Sequence, residues 1–238
     1  MNIHNLQKTW DTLGKEDAMW AVLTEPSKKG KKWENKAFFS TGIKEIAEVM
    51  KDTESLGIKL RKKKALDFGC GVGRLTQAIS DHFDEAVGVD IAPSMIQKAK
   101  QLNKRRKNCT FIVNDEINLK KFSDNSFDFI YSNITLQHMK QDYAKAYLKE
   151  FMRILSPKGL LVFQLPSEPA NTLKGLLIRF LPFVILTKLR RNMEMYSIKQ
   201  EELVRILKIN KGELLLVKSD TNAGDGWISY TYFVKKVV

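Results

Sequence analysis

Cysteine and histidine are scarce in this chain of 238 residues. There are two cysteines, Cys70 and Cys109, and three histidines, His4, His82 and His138. Cysteines so few and so far apart form neither a zinc-type spacing nor a disulfide framework. The histidines are scattered in sequence, so no metal site is expected. Met1–Asp17 is polar and lacks the apolar core of a secretory leader, which points to a cytoplasmic location. A clean membrane-spanning run is missing too. The most apolar stretch, Leu173–Leu189, is broken by Lys174, Arg179, Pro182 and Lys188. Internal repeats, low-complexity tracts and an appended RNA-binding module are also absent.

What the chain does have is positive charge. Its 40 Lys and Arg against 27 Asp and Glu give a formal net charge of +13. Such a field attracts nucleic acid, anionic membrane surfaces or acidic small molecules without choosing among them. The basic runs lie at Lys28–Lys32, Lys59–Lys64 and Lys104–Lys107. Solvated loops and helix ends account for them. The second and third runs carry no interleaved aromatics that could stack single-stranded bases. Apolar and charged contents of 43% and 28% are ordinary for a globular chain of one sizeable domain.

Residues 1–60 read as helical with loops, a lid or cap segment whose surest helix is the amphipathic Gly42–Met50. From residue 61 onward, short apolar runs alternate with helical stretches. Strands are expected at Lys64–Phe68, Glu85–Val89 (closing at Asp90), Cys109–Val113, Phe127–Ser132 and Leu160–Leu165. Helices are expected at Arg74–His82, Pro93–Leu102 and Gln141–Leu155. This alternation predicts an α/β architecture, Rossmann-like and doubly wound, with a mostly parallel sheet covered on both faces. Glu213–Lys218 and Ile228–Val234 have no helix between them and read as an antiparallel pair at the sheet edge. An insertion occupies about residues 170–195.

The most informative segment is Asp67-Phe68-Gly69-Cys70-Gly71-Val72-Gly73-Arg74. Its three alternate glycines sit between a strand and a helix. Glycine is required where a turn takes positive φ or a backbone must approach a ligand. In an open parallel sheet, ligands bind beyond the carboxyl ends of the strands. Asp90 ends the second strand, where a carboxylate can accept both hydroxyl hydrogens of an adenosine ribose. It can also cap the helix starting at Pro93, and its several acceptor sites make the two roles compatible. Asp115 follows the third strand, placed either to accept from an adenine amino group or to serve as a polar loop residue. The glycine spacing is G-x-G-x-G, and Arg74 stands where a dinucleotide fingerprint has its last glycine. That departure suits a ligand without a pyrophosphate.

With these residues in view, the chain resembles the class I S-adenosylmethionine-dependent methyltransferases over roughly residues 60–166. Leu66–Thr76 looks like that family's first motif and Val87–Lys100 like its second. Phe111–Asp115 resembles the third-strand motif, Asp124–Asn133 with Leu136-Gln137-His138 the fourth-strand block, and Arg153–Leu160 the lead-in to the fifth strand. The resemblance implies a seven-stranded sheet with its last strand antiparallel, and S-adenosyl-L-methionine as cofactor. Gly69 and Gly71 would meet the methionine portion, with Asp67 supporting the turn. Asp90 would hold the ribose and Ile91 would pack on the adenine. Asp115 and the backbone of Glu116 would bind the adenine amino group, and Asn133 would lie near the sulfonium end.

For the acceptor, the leading expectation is a small molecule: a metabolite, a sugar or a lipid-like compound. RNA or DNA is the alternative, favoured by charge. Against it, the fourth strand ends in Ser132-Asn133-Ile134-Thr135 rather than an N/D-P-P-Y-like tetrapeptide. A catalytically silent cofactor-binding domain that regulates a partner is a third reading. His138 is the one ionisable base that can be placed near the donor, and a structural histidine is the competing view. Two segments could shape the acceptor pocket. The first is residues 1–42 with Trp10, Trp20, Trp33, Phe38 and Phe39, either a lid or core packing. The second is Leu173–Arg191. It reads as a core-covering helix pair broken at Pro182, as a lid, or as an interfacial element touching anionic lipid. Oligomeric state is not legible.

Overall fold

A computed structural model describes residues 2–104, 106–190 and 192–237. Arg105 of the third basic run and Arg191 of the insertion lie outside these residues. The strands form a seven-stranded sheet of order β3-β2-β1-β4-β5-β7-β6, where β1 is Lys64–Phe68, β2 Glu85–Asp90, β3 Cys109–Val113, β4 Phe127–Ser132, β5 Leu155–Pro169, β6 Gly212–Asp220 and β7 Trp227–Lys236. Among the recorded strand pairs, β1–β2 and β2–β3 are parallel, and β7 runs antiparallel to both β5 and β6. The expected doubly wound fold with an antiparallel last strand is present. The chain divides into two compact units. One runs through Glu116 and includes Phe127–Phe129; the other comprises Ile117–Ser126 and the chain from Ile130 onward.

In the first unit, α1 (Ile3–Val22) is kinked at Asp17, whose φ of −156° and ψ of 78° are not helical. The Asp17 carboxylate accepts from the backbone N–H groups of Gly30 and Lys31 at 2.8 and 2.7 Å, tying the lysine-rich loop to the kink. Next comes α2 (Asn35–Ser55), which contains the expected helix and extends it at both ends. Between the strands lie α3 (Arg74–Ile79) and α4 (Pro93–Leu102), with Pro93 at the first helical position. The expected helix from Arg74 to His82 is shorter than the sequence suggests. Asp81 and His82 donate to Ala78 and Ile79, three residues back, and the tightened turn ends the helix. The core is apolar, with Leu66, Ile79, Met95 and Phe38 fully buried. Phe83 stacks on Phe129 at 5.3 Å.

The second unit holds α5 (Gln141–Ile154), whose buried face includes Tyr147, Leu148 and Phe151. It also holds α6 (Leu173–Phe180), α7 (Phe183–Leu189) and α8 (Gln200–Ile209). The opening of β5 turns at Lys158, whose φ is 65°, and the ladder to β7 begins at Leu160. Phe163 stacks on Tyr232 at 5.1 Å across that ladder. The helix pair is broken at Leu181-Pro182, as expected, yet the core-covering reading of it is overturned. Gly175 is the only residue of α6 and α7 that is buried, and apart from the half-buried Ile178 and Leu186 the large apolar side chains of both helices are exposed. Among the described residues, no helix is long and apolar enough to cross a membrane.

Candidate functional site

The glycine turn begins where β1 ends. Gly69, Gly71 and Gly73 have φ of 79°, 52° and 81°, a left-handed conformation that only glycine takes without strain. Gly69 and Cys70 donate their N–H groups to the Val89 carbonyl at 2.7 and 2.9 Å, which fastens the turn to β2. At Gly71 a Cβ would lie 2.5 Å from Val22 Cγ2, and at Gly73 one would lie 2.7 Å from the Phe111 ring. The end of α1 is thus seated directly against the turn.

Asp90 closes β2 and joins two backbone segments. Its Oδ2 accepts from Gly71 N–H and its Oδ1 from Ala92 N–H, both at 2.8 Å. The turn and the start of α4 are held by one side chain. Burial raises its pKa, and the N–H groups of Ala92, Gly71 and Ile91 oppose that rise. Ile91 is half-buried and its carbonyl accepts from Gln7 Nε2 at 3.1 Å. Asp11, also on α1, accepts from Ser94 N–H at 2.8 Å. Helix α1 therefore lies along the first turn of α4.

Asp67 is fully buried within β1. Its Oδ2 accepts from Thr76 Oγ1 at 2.6 Å, bracing the first turn of α3, while its Oδ1 has no hydrogen-bond partner. Desolvation lifts its pKa to about 7, against the opposing effects of Thr76 and Arg74. Arg74, itself buried, pairs with Glu45 at 2.8 Å and donates to Thr41 Oγ1 at 3.3 Å, pinning α2 to α3. Asp115 and Glu116 are exposed in the loop after β3. The buried Asn114 shapes that loop by donating from Nδ2 to the Glu116 carbonyl at 2.9 Å.

Seven of the eight residues expected to hold cofactor, from Asp67 to Glu116, fall in this one unit. The eighth, Asn133, and His138 belong to the second unit. There, Ile134 takes φ 54°, a costly conformation for a β-branched residue and one met at functional loops. Its N–H is held by Gln164 Oε1 at 3.1 Å. Gln164 Nε2 donates to Gln137 Oε1 at 3.0 Å and to Ser229 Oγ at 2.7 Å. His138 completes this network. Its Nδ1 lies 2.9 Å from the Glu194 carbonyl and its Nε2 lies 3.2 Å from Gln137 Nε2. One tautomer satisfies both contacts: Nδ1–H donates to the carbonyl and Nε2 accepts from the amide. Burial lowers the pKa of this histidine to about 4.

Of the aromatic residues in the N-terminal segment, Trp20 and Phe38 are buried, while Trp10, Trp33 and Phe39 are half-buried. Phe38 packs edge-on against both Trp33 and Phe39 at about 5.5 Å. The basic runs are largely surface features, and a few of their charges have acidic partners. Lys64 meets Glu85 at 3.0 Å, and Arg106 pairs with Asp81. Both cysteines are free thiols. Val22, Asn114, Gln137 and Gln164 were not singled out by sequence. A glutamine inside the apolar run LLVFQL was the one available signal.

Residues 66–163 match the family model described as a methyltransferase domain. Among curated proteins, the demethylmenaquinone methyltransferase of Staphylococcus saprophyticus is 36% identical over 111 residues, covering 45% of this chain and 46% of that protein. The demethylmenaquinone methyltransferase of Staphylococcus haemolyticus is 35% identical over 125 residues, covering 51% of this chain and 49% of that protein. The chain thus spans about half the length of the curated relatives it matches. Among solved structures, magnesium protoporphyrin IX methyltransferase from Synechocystis PCC 6803, with bound SAH, superposes with a TM-score of 0.67. It is 16% identical and covers 99% of this chain and 100% of its own. A SAM-dependent methyltransferase from Methanosarcina mazei gives a TM-score of 0.60 at 22% identity, covering 76% of this chain and 96% of its own. The fold is that of the class I, S-adenosylmethionine-dependent methyltransferases, and the matched segment belongs to the methyltransferase domain family.

Proposed function

We propose that this chain transfers the methyl group of S-adenosylmethionine to a small, lipid-like acceptor. The Asp90 carboxylate carries the reading. It fixes the glycine turn and the α4 entry with one hydrogen bond from each oxygen, and each oxygen keeps a further acceptor site for a ribose hydroxyl. The residues fit a cationic adenosine ligand in a second respect. Asp67 Oδ1 is a buried, unpartnered acceptor two residues before Gly69, and a hydrogen-bond donor such as a ligand ammonium is what such an oxygen lacks. Gly69 and Gly71 would face the methionine portion, Ile91 the adenine ring, and Asp115 with the Glu116 backbone the adenine amino group. Asn133 would lie toward the sulfonium.

Bound S-adenosylmethionine supplies an activated methyl group, so the protein's task is to align the acceptor and exclude water. Val22 and the end of α1, seated on the glycine turn, suit a cap over the donor. His138 is neutral with both ring nitrogens engaged, so its role here is structural. No general base is assigned; one is needed only where the acceptor arrives protonated. The lipid-like acceptor is supported by the curated relatives, named for demethylmenaquinone. Isotope-labelled S-adenosylmethionine offered with demethylmenaquinone, unrelated metabolites and RNA tests the reading. Label entering the apolar organic extract is the expected result. Label in RNA would replace the acceptor class, and cofactor binding without any transfer would favour a regulatory domain.

A further inference from the structure

The first turn of α6 sets a face in which Leu173, Leu176, Leu177 and Phe180 follow one another at i, i+3, i+4 and i+7. In a globular protein that spacing marks the buried side of a helix. Here it is exposed: Leu173 by 77%, Phe180 by 78%. The apolar surface continues past Pro182 into Val184 and Leu189, the latter 73% exposed. The other side of the hairpin is what fastens it. Lys174 pairs with Asp225 at 2.8 Å, Arg190 lies over the Trp227 ring at 6.0 Å, and Thr172 donates to the Asp225 carbonyl at 3.0 Å. At Gly175 a Cβ would fall 1.9 Å from the Ala170 carbonyl oxygen, so the first turn of α6 lies close against the chain leaving β5.

The charge around this face is of one sign. Between Pro169 and Met193 the sequence holds no Asp or Glu, whereas Lys174, Arg179, Lys188, Arg190 and Arg191 all fall there. Asp225, the acid that pairs with the hairpin among the described residues, is taken up by Lys174. Arg179 donates to the Pro169 carbonyl, a neutral acceptor, at 3.2 Å. Lys188 is exposed at the end of α7. A second copy of the chain is a poor occupant, because it would bring this unopposed positive rim against its like. An anionic surface with an apolar interior complements both features. Helices of 8 and 7 residues are too short to span a bilayer and are suited to lying in its interface.

We propose that the α6–α7 hairpin docks this protein on anionic lipid bilayers, with Leu177, Phe180 and Val184 entering the acyl boundary and Arg179 and Lys188 at the headgroups. The proposal stands whether or not the methyl acceptor is lipid-like. Co-sedimentation of the full chain with phosphatidylcholine vesicles, with and without phosphatidylglycerol, tests it. Binding is expected to the anionic vesicles. The double variant Leu177→Glu, Phe180→Glu should lose at least tenfold in affinity, and Arg179→Gln about fivefold. The altered side chains are exposed, so melting temperature and S-adenosylmethionine affinity should not change. Absence of vesicle binding would overturn the proposal. So would full binding by the double variant, which would assign the attraction to the overall charge. A dimer seen by light scattering and lost in the double variant, without vesicle binding, would give the face to a second copy and overturn it equally.

Discussion

At the scale of single residues, Asp67 and His138 are buried ionisable groups whose burial acts on stability in opposite senses. Asp67 has a pKa of about 7 in the folded chain against 3.8 for an ordinary aspartate. The folded state therefore binds more protons between about pH 4 and 7, and the contribution of Asp67 to stability is lost as pH rises through that window. His138 has a pKa of about 4 against 6.5. Its contribution is present above pH 6.5 and is lost as pH falls toward 4. Urea unfolding from pH 4.5 to 7.5 separates them. Asp67→Asn should gain on the parent chain as pH rises and level off above 7. His138→Gln should remove part of the acid-side loss. Profiles parallel to the parent chain would contradict both assignments. The glycines and Asp90 were legible at this scale because each answers a local demand, for positive φ or for an acceptor at a strand end. Val22 was not, since its contact with Gly71 spans nearly fifty residues.

At the scale of elements, the buried network on Gln164 holds the loop after β4 in its strained shape. Replacing Gln164 by Leu removes the acceptor for the Ile134 N–H and the donors to Gln137 and Ser229. Stability should fall by about 2–4 kcal/mol in chemical denaturation, the cost of stranding buried polar groups. A change below about 0.5 kcal/mol would show that Ile134 does not depend on this network. Periodicity located nearly every strand and helix, because alternation and 3.6-residue spacing are written locally. It could not tell which way α6 faces. An apolar stripe looks the same in sequence whether it meets a core or solvent, and only the closeness of Gly175 to Ala170 and the pairing of Lys174 with Asp225 decide the matter.

At the scale of the whole molecule, the sheet class followed from the alternation of strands and helices and from the helix-free tail, which together imply a mostly parallel sheet with an antiparallel edge, whereas the order of the strands came only with the structure. The identity of the acceptor was not written in the core motifs, because the chemistry read from those motifs concerns the donor alone. The two segments that the sequence offered for an acceptor pocket, residues 1–42 and 173–191, carry no chemistry-specific pattern. The central claim is that the glycine turn and Asp90 bind S-adenosylmethionine. Calorimetric titration with S-adenosylmethionine and, separately, with NAD tests it most directly, with Asp90→Ala as the comparison. Binding of S-adenosylmethionine alone is predicted, weakened in Asp90→Ala by roughly ten- to a hundredfold, as expected for the loss of charge-assisted hydrogen bonds. Binding of NAD, or undiminished binding by the variant, would contradict the account.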